Sequence, residues 1–100
     1  MIDGTYEATI DTILGSQTGA VSLRSEGAKM LADLDAPVIG RQLIRGQLES
    51  ENVFNAEGVF GLGFFGMLSY VLRGEVEGDR LRIVLASGRG EYVIDGNRVG

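Results

Sequence analysis

Apolar and polar residues take turns along most of this chain. Over residues 5–13, Tyr6, Ala8, Ile10 and Thr12 share one face while Thr5, Glu7, Thr9 and Asp11 share the other, which is the period of two of a half-buried strand. The same alternation runs through residues 19–24 (Gly19, Val21, Leu23), 42–49 (Ile44, Gly46, Leu48) and 53–60 (Phe54, Ala56, Gly58, Phe60). It continues through residues 67–77 (Leu68, Tyr70, Leu72, Gly74, Val76), 80–86 (Leu81, Ile83, Leu85) and 91–99 (Tyr92, Ile94). Residues 28–36 set Ala28, Met30, Ala32, Leu34 and Ala36 against Lys29, Leu31, Asp33 and Asp35. In that segment Ser25 ahead and Pro37 behind would equally cap and stop a short helix, so it reads as strand or as helix.

Two kinds of connector separate the segments. Short acidic ones, Asp3-Gly4, Glu26-Gly27, Glu51-Asn52, Glu77-Gly78-Asp79 and Asp95-Gly96-Asn97, suit tight hairpin turns because Gly and Asn accept positive φ. Longer glycine-bearing ones fall at residues 14–19, 36–40, 61–66 and 87–90. Eight strands in sequence with short connections predict an all-β fold, an eight-stranded antiparallel up-and-down meander. Such a meander curls until its first and last strands pair, which removes exposed edges. One hundred residues make a single domain, 1–100, with one core. The acidic turns then lie at one end of the barrel and the glycine-bearing loops at the other.

The most apolar stretch is residues 59–68, with Gly61, Gly63 and Gly66 in a G-x-G-x-x-G pattern. In dinucleotide-binding folds that pattern joins a strand to a helix. The period of two after Gly66 is that of a strand, so the glycines are expected to form a loop between two strands and no cofactor is expected.

Composition removes several chemistries. There is no Cys and no His, which excludes a disulfide framework, a thiolate zinc site and the serine-histidine-aspartate arrangement. Net charge is −5 with a single lysine, Lys29, so neither nucleic acid nor a membrane surface is an expected partner. Without a basic-then-apolar leader or a run of about 20 apolar residues, the expected location is cytoplasmic.

Several stretches resemble a group of small bacterial calycin-like (lipocalin-like) barrels of uncharacterised function. They are Asp3-Gly4-Thr5-Tyr6-Glu7-Ala8-Thr9-Ile10-Asp11-Thr12, residues 15–23 with Gly19, Gly74-Glu-Val-Glu-Gly78-Asp79-Arg80-Leu81, and Asp95-Gly96-Asn97-Arg98. Members of that group occur alone or attached to flavin-dependent and other oxidoreductases. Calycins carry a Gly-x-Trp near the start and an Arg near the end that packs across it. The resemblance therefore implies that Gly4-Thr5-Tyr6 and Arg98 close one end here, with Tyr in place of Trp. The chain departs from the group in its more apolar 61–66 loop and in a third segment less rich in threonine.

Three functional readings follow. A barrel of eight strands is wide enough either to be filled by its own side chains or to hold one small molecule. The first reading is a module for a small apolar molecule, lined by Tyr6, Phe54, Phe60, Leu62, Phe64, Phe65, Tyr70 and Tyr92. The second is self-association, as a homodimer, through outward Val53, Val59, Met67, Val71, Val84 and Val93. The third is a cofactor-free cyclase or isomerase, which needs a buried carboxylate as acid or base; Asp11, Asp33, Asp35 and Glu57 all read as outward. Asp33 and Asp35 on one strand face read as solvated, not as a metal site. The balance favours a non-catalytic module, and the oxidoreductase association implied by the resemblance adds an accessory role as an alternative.

Overall fold

In a computed structural model, which describes residues 1–12, 15–37, 40–61 and 66–100, the alternation becomes eight strands. These are β1 (Gly4–Thr12), β2 (Gly15–Glu26), β3 (Lys29–Ala36), β4 (Gly40–Ser50), β5 (Val53–Gly61), β6 (Met67–Glu77), β7 (Arg80–Ser87) and β8 (Gly90–Arg98). Each pairs antiparallel with the next, and β1 pairs with β8 from Tyr6↔Arg98 to Ile10↔Ile94, so the meander closes into a barrel. Residues 29–36 are strand and not helix. Their backbone groups are taken up on both sides, by β2 from Ala20↔Asp35 to Glu26↔Lys29 and by β4 from Lys29↔Gln47 to Ala36↔Gly40. Tertiary pairing overrides the local preference. After Gly66 comes strand β6, so the helix that a nucleotide-binding glycine motif requires is replaced by the second arm of a hairpin.

The inward faces fill the barrel. Val21, Met30, Leu34, Ile44, Phe54 and Leu72 meet at its waist with other buried side chains, and the void left among them is about 10 Å³. That is at the lower limit for one water, and its lining is apolar, so it is expected to be dry. The interior at this level is solid, which settles the choice between a filled and a hollow waist. Outward positions carry charge on every strand, from Glu7 on β1 and Arg24 on β2 to Arg82 on β7 and Asp95 on β8. This is the reverse of a lipid-facing barrel, whose outer band is apolar.

Close packing in a tube of fixed width needs small residues opposite large ones. Gly74 faces inward beside Phe54, and a Cβ on it would lie 2.2 Å from Phe54 Cζ. Two sequence stretches expected to be tight turns prove to serve this packing. Asp95-Gly96-Asn97 lies inside β8, paired with β7 and β1, and Gly96 is buried where a Cβ would stand 3.0 Å from the Glu7 carbonyl. Gly4 opens β1 at φ +149°, and a Cβ on it would approach Arg98 Nε to 2.9 Å. Turn chemistry and close backbone approach both select glycine, and composition alone does not separate them.

The end carrying the acidic turns is closed by a polar net over an apolar stopper. Ile2 and Tyr6 are fully buried. The Tyr6 hydroxyl donates to the Ile2 carbonyl at 2.7 Å and accepts from Arg98 Nη2 at 2.7 Å. Arg98 also donates to the Met1 carbonyl and to Asp79, both at 3.2 Å. Its guanidinium carbon stands 5.3 Å from the centre of the Tyr6 ring, within cation–π range. The expected pairing of Tyr6 with Arg98 is therefore present. Asp3 is tied to β2 by the Ser25 hydroxyl at 2.6 Å and the Ser25 amide at 3.2 Å, and the Ser25 hydroxyl bond in particular holds the Asp3 carboxyl below the usual carboxylate range.

Two substitutions test this account by denaturant unfolding. Gly74→Ala forces a methyl into the Phe54 ring and is expected to cost about 1–3 kcal/mol. Tyr6→Phe keeps the ring but strips the partner from the buried Ile2 carbonyl and from Arg98, at a cost of about 1–3 kcal/mol. Arg98→Ala is also expected to lower the melting temperature, and an unchanged midpoint would remove the closure from the list of what holds the fold.

Candidate functional site

With one end stoppered and the waist filled, the least covered inward residues are those of the loop end, where β1–β2, β3–β4, β5–β6 and β7–β8 are joined. The inward parity that carries Val21, Ile44 and Leu72 through the waist brings Ile10, Gln17, Gln42, Leu68 and Tyr92 to this mouth. There they are only half-buried. Below them, Phe60 on β5 and Tyr70 on β6 stack with ring centres 4.2 Å apart and planes 16° from parallel. The register that places them runs Gly58↔Tyr70 and Phe60↔Leu68.

Tyr70 is the polar group that distinguishes this site. Its side chain is 6 % exposed, and its hydroxyl reaches across to β5, where a Cβ on Gly58 would stand 2.9 Å from the oxygen. Gly58 is thus the space into which the phenol extends. Among the described residues that hydroxyl has no hydrogen-bond partner, unlike Tyr6, whose hydroxyl has two. Burial pushes the Tyr70 phenol above its ordinary pKa, since loss of water penalises the phenolate.

Two amides border the same mouth. Gln42 donates from Nε2 to the Gly61 carbonyl at 2.9 Å, bridging β4 to the end of β5. Gln17 sits opposite Ile10 in the β1–β2 ladder. Neither was singled out from sequence, although each shares the parity of an inward residue two positions away, half-buried Gly19 or buried Ile44. That parity was the available signal, and their polarity hid it.

The expected ligand-lining residues divide by position. Phe60, Tyr70 and Tyr92 come together toward the mouth. Tyr6 lies in the closed end, and Phe54 is fully buried against Gly74, so neither is near it. Leu62, Phe64 and Phe65 lie outside the described residues. Of the outward residues expected to form an interface, Val59, Met67 and Val71 are exposed, whereas Val53, Val84 and Val93 are half-buried.

Acid–base groups are arranged differently. Among the described residues no Asp or Glu is buried, and no three carboxylates gather where a metal could sit. Asp33 points outward into a paired bond from Arg41, and this holds its carboxyl below the usual range. Asp11, Asp35 and Glu57 are exposed. The mouth therefore offers an apolar rim, two amides and one buried phenol.

Comparison with known proteins bears on the fold. No family model matches the chain, and no curated protein does. Among solved structures, it is similar to a redesigned β-barrel at a TM-score of 0.70 with 9 % identity, covering 99 % of this chain and 92 % of that one. It is similar to a second redesigned β-barrel, mFAP1, bound to DFHBI, at a TM-score of 0.68 with 9 % identity, covering 98 % and 94 %. A de novo designed fluorescence-activating β-barrel matches at 0.58 with 16 % identity, covering 98 % and 94 %. At these identities the likeness is one of fold: this chain is an eight-stranded closed antiparallel β-barrel with sequential strand order, of generically calycin-like topology.

Proposed function

We propose that this barrel is a non-catalytic binding module that takes a small, largely apolar molecule with a hydrogen-bond acceptor at the loop-end mouth. The observation that carries the reading is the stacked Phe60 and Tyr70 pair, whose phenol hydroxyl has no partner among the described residues, set beside half-buried Ile10, Leu68 and Tyr92. A ligand seated on that rim would bury apolar surface and give the phenol its acceptor. Sites of this kind join a mostly apolar lining to a few oriented polar groups. The barrel of similar fold solved bound to DFHBI lends support to the architecture as a holder of such molecules. The solid waist limits the ligand to the loop end of the tube, so a long lipid tail fits the reading poorly. A cyclase or isomerase would need a carboxylate held protonated by burial, and the carboxylates Asp3 and Asp33 are shifted the other way.

Titration with Nile red, an uncharged dye bearing a carbonyl, tests the site by fluorescence. Saturable one-to-one binding is expected in the wild type and its loss in Leu68→Arg, which places a charge in the rim. Tyr70→Phe should weaken binding about fivefold, the worth of one net hydrogen bond of about 1 kcal/mol. No saturable signal, or one indifferent to Leu68→Arg, would overturn the proposal.

The phenol itself can be followed by absorbance titration. A step displaced above the ordinary tyrosine range is expected in the wild type and absent from Tyr70→Phe. The sign for stability follows from the raised value in the folded state. The contribution of the neutral phenol is complete below the unfolded-state pKa and is lost as pH climbs through the folded-state one. Alkaline unfolding should therefore begin at higher pH in Tyr70→Phe than in the wild type.

A further inference from the structure

The wall of the barrel is uneven on one side. Leaving aside Met1 and Val99 near the ends of the chain, the exposed large apolar residues among those described are Leu43 (61 % exposed), Val59 (49 %), Met67 (74 %) and Val71 (57 %). All four stand on the consecutive strands β4, β5 and β6. An apolar cluster of this sort on an otherwise charged wall marks a contact surface.

The same region contains an interruption in the sheet. The β4–β5 ladder pairs Gln47↔Asn55, Leu48↔Phe54 and Ser50↔Val53, with a bulge between Leu48 and Ser50. Among the described residues it has no paired register above Gln47 and Asn55. There the Gln42 side chain crosses to the Gly61 carbonyl, and the outer surface dips into a groove of about 380 Å³ between Arg45, Gln47, Asn55, Glu57 and Val71. Arg45 and Glu57 both line this groove, from opposite sides of the seam, yet neither forms an ion pair among the described residues.

We propose that this chain forms a two-fold homodimer whose axis lies along the β4–β5 seam. A two-fold axis in the plane of a contact sets each residue against whatever lies at its mirror position across the axis. Counting outward positions two by two from the Gln47↔Asn55 pair, the mirror partners across the seam are Arg45 and Glu57, then Leu43 and Val59. One strand further out, Leu31, which is opposite Arg45 in the β3–β4 ladder, mirrors Val71, which is opposite Glu57 in the β5–β6 ladder. Folding the surface onto a second copy therefore sets Arg45 against Glu57 twice, Leu43 against Val59 twice and Leu31 against Val71 twice. In these three central pairs apolar groups meet apolar groups and opposite charges meet; one row beyond them on either side, Lys29 mirrors Arg73, whose charge is already paired with Glu49, and Asp35 mirrors Met67. This self-complementarity selects a second copy over an unrelated partner. The remaining surface of a chain of net charge −5 repels another copy, which further favours the seam.

Sedimentation of Arg45→Glu, Glu57→Arg and their combination decides the matter. The wild type is expected to dimerise between micromolar and millimolar concentration. Each single reversal makes two like-charge contacts and should raise the dissociation constant by at least about tenfold; the double exchange should restore it. Mixing R45E with E57R separates the interface from effects inside one barrel. Each variant alone is expected to be monomeric, and the mixture to form heterodimers, because Glu at 45 then meets Arg at 57 of the other copy. Melting curves of the single variants confirm that each is folded. A wild type monomeric throughout, a dimer indifferent to both reversals, or a mixture that stays monomeric would each overturn the proposal.

Discussion

A closed tube of eight strands has a cross-section set by strand number and stagger, so the space available to its interior is fixed before any side chain is chosen. Each large inward residue must then be matched by a small one on a neighbouring strand. Phe54 occupies the room left by Gly74, and Tyr70 the room left by Gly58. Arg98 occupies the room left by Gly4. These pairings explain why a chain so rich in glycine can have a waist with almost no void. Glycine inside a strand forfeits packing and backbone entropy, and here that loss is offset by the burial of an aromatic ring or of the guanidinium stem beside it.

The two ends of the tube solve the problem of termination differently. At the end of the acidic turns, Ile2 seals the apolar interior, while Tyr6, Arg98 and backbone carbonyls satisfy one another above it. Every hydroxyl and most of the guanidinium in that net have a partner, and charge-assisted hydrogen bonds are the stronger kind. At the loop end the stacked Phe60 and Tyr70 pair lies beside half-buried Ile10, Leu68 and Tyr92. Among the described residues the buried side-chain atom left without a partner is Arg98 Nε, inside the stopper itself. What separates the mouth from the stopper is that aromatic and aliphatic side chains, in place of a polar net, form its rim.

Much of the fold is written in the order of residues. Alternation locates all eight strands, because one face of each is buried and a shift by one residue would reverse inside and outside. The closure by Gly4, Tyr6 and Arg98 was also legible, through resemblance. What was hidden depends on register between distant strands. Ile2 reads as an unremarkable terminal residue until β1 and β8 meet over it. Asp95-Gly96-Asn97 has the composition of a turn, and only its position against Ala8 makes it an interior strand. Gln17 and Gln42 look like solvent-facing residues because polarity outweighs parity in a first reading. Leu43 has outward parity in residues 42–49 but stood outside the expected interface set, which lay on later strands.

Apart from the interrupted part of the β4–β5 ladder, every strand of the closed sheet is paired on both sides, so few backbone edges are offered to a second chain and association proceeds mainly through side chains on the convex face. A convex face meets another along a narrow strip, which makes the composition of each row of outward residues decisive. Along β4 to β6 that strip contains Leu43, Val59 and Val71 with one basic and one acidic residue between them. It also coincides with the place where the ladder is interrupted and a glutamine side chain supplies a cross-strand hydrogen bond. Where backbone pairing is thinnest, outside contacts contribute most to keeping the wall intact. The geometry of the seam and the chemistry of its surface therefore point to the same strip.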